Sequence, residues 1–206
     1  MLPRDAAALA LCATLFAGAG ACRRASEPAP LTTPASSVAP PSAEAARRFV
    51  HRAHVIPPGI HDVKEFHVEV GPQRLAFNLA HPARDLTALR GADELVLTET
   101  HVVLVIDYPL DHPFDFPIDA PGARGFTRAD LVRAVTDVYA FLYAEEERGS
   151  AVKTAPMDAR GPLINRNETH GEFGICCHDL DDLVLHTLSI QKDAAGNTYV
   201  DLGIDS

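Results

Sequence analysis

The sequence predicts an α+β domain: a mainly antiparallel sheet with one long and one short helix packed on one face. Three observations predict it. Alternating apolar segments stand at both ends of the globular part, one strongly amphipathic helix lies between them, and the elements run strands, helix, helix, strands.

Residues 65–70, EFHVEV, place Phe66, Val68 and Val70 on one face. After Gly71-Pro72, Leu75, Phe77 and Leu79 alternate again, so a β-hairpin across that turn is expected. Residues 94–110, ELVLTETHVVLVIDYPL, are apolar on both faces from Val102 to Ile106 and predict a central, covered strand. Pro109, Pro113, Pro117 and Pro121 then predict an irregular loop without a long regular element.

The long helix is expected over Gly125–Arg148. Thr127 and Asp130 fit a capping box, and Leu131, Val135, Val138 and Leu142 recur at helical spacing, widened by Ala134 and Phe141. Glu145, Glu146 and Glu147 at its end read as a solvated face. A polar loop over 149–170 follows, then a short helix expected from Asp179 to His186. Thr187–Lys192, a turn over Asp193–Asn197, and Thr198–Ile204 read as a closing hairpin.

The first 22 residues, MLPRDAAALALCATLFAGAGAC, form a different kind of segment. Arg4 supplies a positive start, Ala6 to Phe16 an apolar run too short to span a bilayer, and Ala17 to Ala21 are all small. Cys22 after Ala19-Gly20-Ala21 resembles the lipobox of bacterial lipoproteins, with Ala19 where leucine is usual. That resemblance implies removal of residues 1–21 as a signal peptide and lipid on Cys22. The chain would then hang from a membrane, each buried methylene contributing about 0.8 kcal/mol. Arg23 rather than an acid after the cysteine points to the outer membrane of a bacterial envelope over the inner. Ordinary cleavage after Ala21 is the alternative, and leaves a secreted soluble protein. Residues 22–45 are rich in Pro, Ala, Ser and Thr and predict a disordered tether; 46–206 form a single globular domain.

A net charge of −10 argues against nucleic acid as a partner. With Cys12 lost and Cys22 lipidated, Cys176 and Cys177 are left either as two half-buried free thiols, the favoured state, or as a vicinal disulfide.

The most crowded stretch is FGICCHDLDDLVLHTL, residues 173–188. Together with FTRADL and VYAFLYAEEE it resembles an uncharacterised family of plant, protist and bacterial proteins, over roughly residues 103–206. That family carries a Gly-Ile-Trp-Gly-His-Asp-type segment, and this chain has Cys176 and Cys177 where the pattern has Trp and Gly. The resemblance implies a shared fold, flags His178 and Asp179, and carries no activity.

Read from the residues alone, Asp179 caps a helix, Asp182 reaches back from its third position, and Asp181 favours the helix dipole. His178, with Asp182 to orient it, Asp179 and distant His170 are the candidate catalytic residues. Asp182 stands four residues from His186 as well. The spacing matches no zinc pattern, so no metal site and no cofactor are expected. His51, His54, His61 and His67 read as scattered surface histidines. The reading that results is a membrane-displayed binding or interaction domain with a protein or small-molecule partner. Its alternative is a hydrolase or metal-dependent enzyme using His178, nearby acids and His170.

Overall fold

The computed structural model describes residues 49–162 and 166–206; the expected signal peptide, Cys22 and the tether lie outside the described residues. In chain order the elements are the strands Arg52–Ala53 (β1), His61–His67 (β2) and Phe77–Asn78 (β3) and the short helix Pro82–Leu86 (α1). Leu95–Leu97 (β4), His101–Ile106 (β5), Phe114–Asp119 (β6) and Phe126–Thr127 (β7) lead to the long helix Arg128–Gly149 (α2). Val184–Lys192 (β8) and Thr198–Asp205 (β9) close the fold. This is the α+β architecture the sequence predicts.

The main sheet runs β1-β6-β5-β9-β8-β2, with β3 also on β8, and every pairing is antiparallel except β5 with β9. Strand β5 is central and buried from Val102 to Ile106, as its two-faced apolar sequence requires. Its alternate residues serve two layers. Val102, Leu104 and Ile106 face the main core, while Val103 and Val105 join Tyr199 and Ile60 in a small cluster on the other face.

Helix α2 covers the main core with Leu131, Val135, Val138 and Leu142, all fully buried. It starts where the sequence says it should. Asp130 N–H donates to Thr127 Oγ1 at 3.2 Å, and Thr127 N–H donates to Asp130 Oδ2 at 3.0 Å, closing the capping box. Gly125, at φ 97°, lies just before it, where a β-carbon would strike the Leu97 carbonyl. No helix among the described residues is long and apolar enough to cross a membrane.

Three local expectations are corrected. Residues 65–70 and 75–79 do not form a hairpin ladder; only Val70 and Leu75 bridge. Both flanks lie along β8 instead, Phe66 opposite Leu188 and Phe77 opposite Leu185, so they make one edge strand interrupted by a loop. The proline-rich stretch contains β6, with Pro117 opposite Val103. It is tolerated because β1 covers only Phe114 and Asp115, leaving Pro117 on an open edge where a missing N–H costs little.

The third correction concerns the short helix, which is α1, not 179–186. Pro82 stands at its start, where no donor is needed, and Leu86 packs on the core. Residues 180–182 make one 3-10 turn before β8 begins at Val184. Two sheet partners, β9 and β3, pair with Val184 and Leu185 and override the helical reading there.

Candidate functional site

The C-terminal half of α2 presents Tyr139, Tyr143 and Glu146 along one face at helical spacing, and each holds a loop. Tyr139 Oη donates to the Tyr108 carbonyl at 2.7 Å and Tyr143 Oη to the His178 carbonyl at 2.9 Å. The fully buried Glu146 carboxylate accepts the N–H groups of Gly171 at 2.7 Å, Phe173 at 2.9 Å and Gly174 at 3.3 Å. Burial alone pushes Glu146 up. The Phe173 and Gly171 N–H groups, the Thr169 side chain and the Gly174 N–H outweigh it and hold the carboxyl below the ordinary glutamate value. Glu146 is therefore a structural anion, not part of a solvated acidic face. Its neighbours are engaged too, Glu145 with Arg148 and Glu147 with the Thr154 hydroxyl at 2.6 Å.

This anchoring fixes the loop that carries the crowded stretch. Thr169 N–H closes onto the Ile175 carbonyl at 3.0 Å, and Cys176 N–H donates to the Pro109 carbonyl at 3.2 Å. Cys177 bridges antiparallel to Arg166 and takes a left-handed backbone at φ 73°. Cys176 and Cys177 are joined in a vicinal disulfide, correcting the expectation of two free thiols. Both are half-buried.

His178 rests its ring beside Tyr108, centroids 5.6 Å apart, and sets Nε2 3.4 Å from Ser206 Oγ. Its buried Nδ1 has no hydrogen-bond partner among the described residues. Asp179 takes the Arg160 guanidinium, with Arg166 Nη1 at 3.8 Å. Arg166 is 5% exposed at its side chain, lies 5.3 Å over the Tyr143 ring, and has buried Nε and Nη2 with no hydrogen-bond partner among the described residues. Asp182 accepts the Asp179 N–H at 2.9 Å, so the capping-box relation holds although only one turn follows.

The other candidates do not converge here. His170 is 64% exposed with Glu168 3.9 Å away, and no hydrogen bond or ion pair among the described residues joins it to His178. Asp182 orients neither His178 nor His186; the latter pairs with Thr187 Oγ1 at 2.8 Å. Among the described residues no group of three or more His, Cys, Asp or Glu is placed to hold a metal ion.

Two of the four N-terminal histidines are half-buried rather than free on the surface. His51 stacks on Phe116 with centroids 5.4 Å apart and meets Glu172 at 2.8 Å. His54, 12% exposed, sets Nδ1 2.6 Å from the buried Asp115 carboxylate, which also takes Arg52. His61 and His67 are exposed. Sequence reasoning also missed Arg160 and Arg166, whose partners are set by the fold rather than by spacing. Comparison with protein-family models, with curated proteins and with solved structures finds no match to this chain.

Proposed function

We propose that this chain is a cell-envelope lipoprotein whose α+β domain is a binding or interaction module displayed from a membrane. Cys22 carries the lipid, residues 22–45 form the tether, and the outer membrane is the destination. The observation that supports this reading is the self-contained core. Among the described residues one continuous apolar core forms, and Phe49, the first of them, packs its ring 5.4 Å from Phe141. A domain with its own core needs only a connection to its anchor, which is what a tether supplies.

Detergent partitioning of the expressed full chain, with mass spectrometry of the mature N-terminus, tests the proposal. A diacylated or triacylated Cys22 in the detergent phase is the expected result. An unmodified Cys22 in the aqueous phase would establish a secreted soluble protein instead and end the lipoprotein reading.

A further inference from the structure

We propose that Cys176–Cys177 is a thiol–disulfide exchange site, taking two electrons from a dithiol, with Arg166 holding the thiolate that is released. This goes beyond the binding role and does not depend on the lipid anchor.

Four observations carry it. A structural disulfide stabilises by closing a loop, an effect that grows with the residues enclosed. Here the sequence separation is 1, so the bond cross-links almost nothing and stability does not account for it. Cys177 also sits in left-handed backbone at φ 73°, a conformation that disfavours a residue with a β-carbon and marks functional positions when the surroundings enforce it. Both cysteines are half-buried, on a loop that Tyr143 and Glu146 tie to α2, so opening the bond leaves the loop in place and the pair open to a small thiol.

The fourth observation is electrostatic. Arg166 is the direct cross-strand neighbour of Cys177, and opposed residues in an antiparallel pair project to the same side. Its buried Nε and Nη2 have no acceptor among the described residues. A thiolate at Cys177 would supply one, and a cation beside a cysteine stabilises the thiolate. Other charged or titratable groups face the same place. Asp179 opposes a thiolate; its carboxylate is held by the Arg160 guanidinium and lies 3.8 Å from Arg166 Nη1, which leaves Arg166 Nε and Nη2 for the sulfur. Asp182 is engaged by the Asp179 N–H. Burial holds the Tyr143 phenol protonated. His178 Nδ1 adds a further nitrogen with no hydrogen-bond partner among the described residues, and Tyr108 and Asp111 approach from the β5–β6 connection.

The step balances with a dithiol as reductant. Its thiolate attacks Cys176 Sγ, forming a mixed disulfide as the Cys176–Cys177 bond breaks, and the electron pair leaves on Cys177 Sγ beside Arg166. The second thiolate of the reductant then displaces Cys176. The reductant departs as a disulfide, one of its protons stays on Cys176, and the other goes to solvent.

The test uses the full chain, dithiothreitol as the dithiol, and mass spectrometry of the peptide carrying Cys176 and Cys177. Before reduction this peptide should resist alkylation and be lighter than the dithiol form by two hydrogens. After reduction of the folded protein both cysteines should alkylate. The pH profile of that alkylation should have its midpoint below the ordinary thiol value of about 8.5. Arg166→Gln should raise the midpoint by about one pH unit and so slow alkylation at pH 7 about tenfold, whereas Arg166→Lys should retain most of the rate. Should Arg166→Gln fail to fold, the wild-type and Arg166→Lys profiles decide. Free thiols before reduction, a bond that dithiothreitol leaves closed in the folded protein, or an ordinary midpoint in the wild type each overturns the proposal.

Discussion

Glu146 reaches from the last turn of α2 to the backbone of Gly171, accepting its N–H at 2.7 Å across 25 residues of sequence. With Phe173 N–H at 2.9 Å it makes the helix end and the site loop one unit. Glu146→Ala leaves these N–H groups buried and unanswered, so it should destabilise the domain by about 2–5 kcal/mol in urea denaturation. The pH dependence follows from the direction in which the carboxyl is moved. A carboxyl held below its ordinary value contributes fully above that value, 4.5, and loses the contribution as pH falls through the lower folded value. The difference between wild type and Glu146→Ala should therefore be flat at neutral pH and shrink in acid below pH 4.5. A difference that grows with acidification would contradict this account.

Helix α2 itself depends on local signals. Thr127→Ala removes the acceptor for the Asp130 N–H and one half of the capping box. A loss of about 0.5–2 kcal/mol is expected by urea denaturation, with Thr127→Ser nearly silent because its hydroxyl takes the same place. A full-sized loss in the serine variant would mean that the methyl group, not the cap, matters there.

These two residues mark what is legible in the sequence. The Thr127–Asp130 box and the Leu131, Val135, Val138, Leu142 stripe are local, and a helix needs only local spacing to be read. The closing hairpin is legible for the same reason, its turn held by Asp193 Oδ1 accepting from Ala195 and Asn197. Glu146 is not, because its acceptor role exists only once a loop 25 to 28 residues away folds over it. At Asp179 the capping signal is legible but the element behind it is not. A box specifies a helix start, whereas the ladders of β8 with β2 and β9 decide what Val184 to Lys192 become. Of the site, His178 and Asp179 are singled out by the sequence, but as the start of a helix, whereas they lie in a loop that makes a single 3-10 turn. Arg160 and Arg166 come from a polar loop with no periodicity to flag them.

On the opposite face of the sheet Asp201 lies across from Val105 and Ser189. Burial pushes its carboxyl above the ordinary value of 3.8 against the pull of the Leu202 N–H, with Asp107 and Asp62 adding to the rise. A group whose folded value is raised favours the fold in its protonated state, so the cost begins as pH rises above the ordinary value of 3.8 and is complete once pH passes the raised folded value. Asp201→Asn keeps an oxygen for the Leu202 N–H, now 3.0 Å from Asp201 Oδ1, and removes the charge. The variant should melt at a higher temperature than wild type at pH 7, with the gain vanishing below pH 3.8. Equal melting temperatures at both pH values would show that the carboxylate is solvated without penalty.

Asp179 and His178 are neighbours in sequence with unequal duties, and substitution separates them. The Asp179 carboxylate, 26% exposed, lies between the Arg160 guanidinium and the nearly buried Arg166 at 3.8 Å. Asp179→Ala strips a carboxylate from a cation that water reaches poorly. Breaking a buried pair from one side typically costs about 3–5 kcal/mol, and the partial exposure of Asp179 lowers the expectation to about 2–4 kcal/mol. His178→Ala loses a ring contact with Tyr108 and a 3.4 Å approach to Ser206, while the Tyr143 hydroxyl still finds the main-chain carbonyl. Because Nδ1 has no partner to lose, that variant should cost about 1 kcal/mol or less. Asp179→Asn should fall between them, since its amide oxygen still accepts from Arg160 but no longer carries charge. Urea midpoints at pH 7 give the ranking directly. Were His178→Ala the more damaging change, Arg166 would have to be neutralised by something other than Asp179, and the ion pair would lose its role in holding the loop.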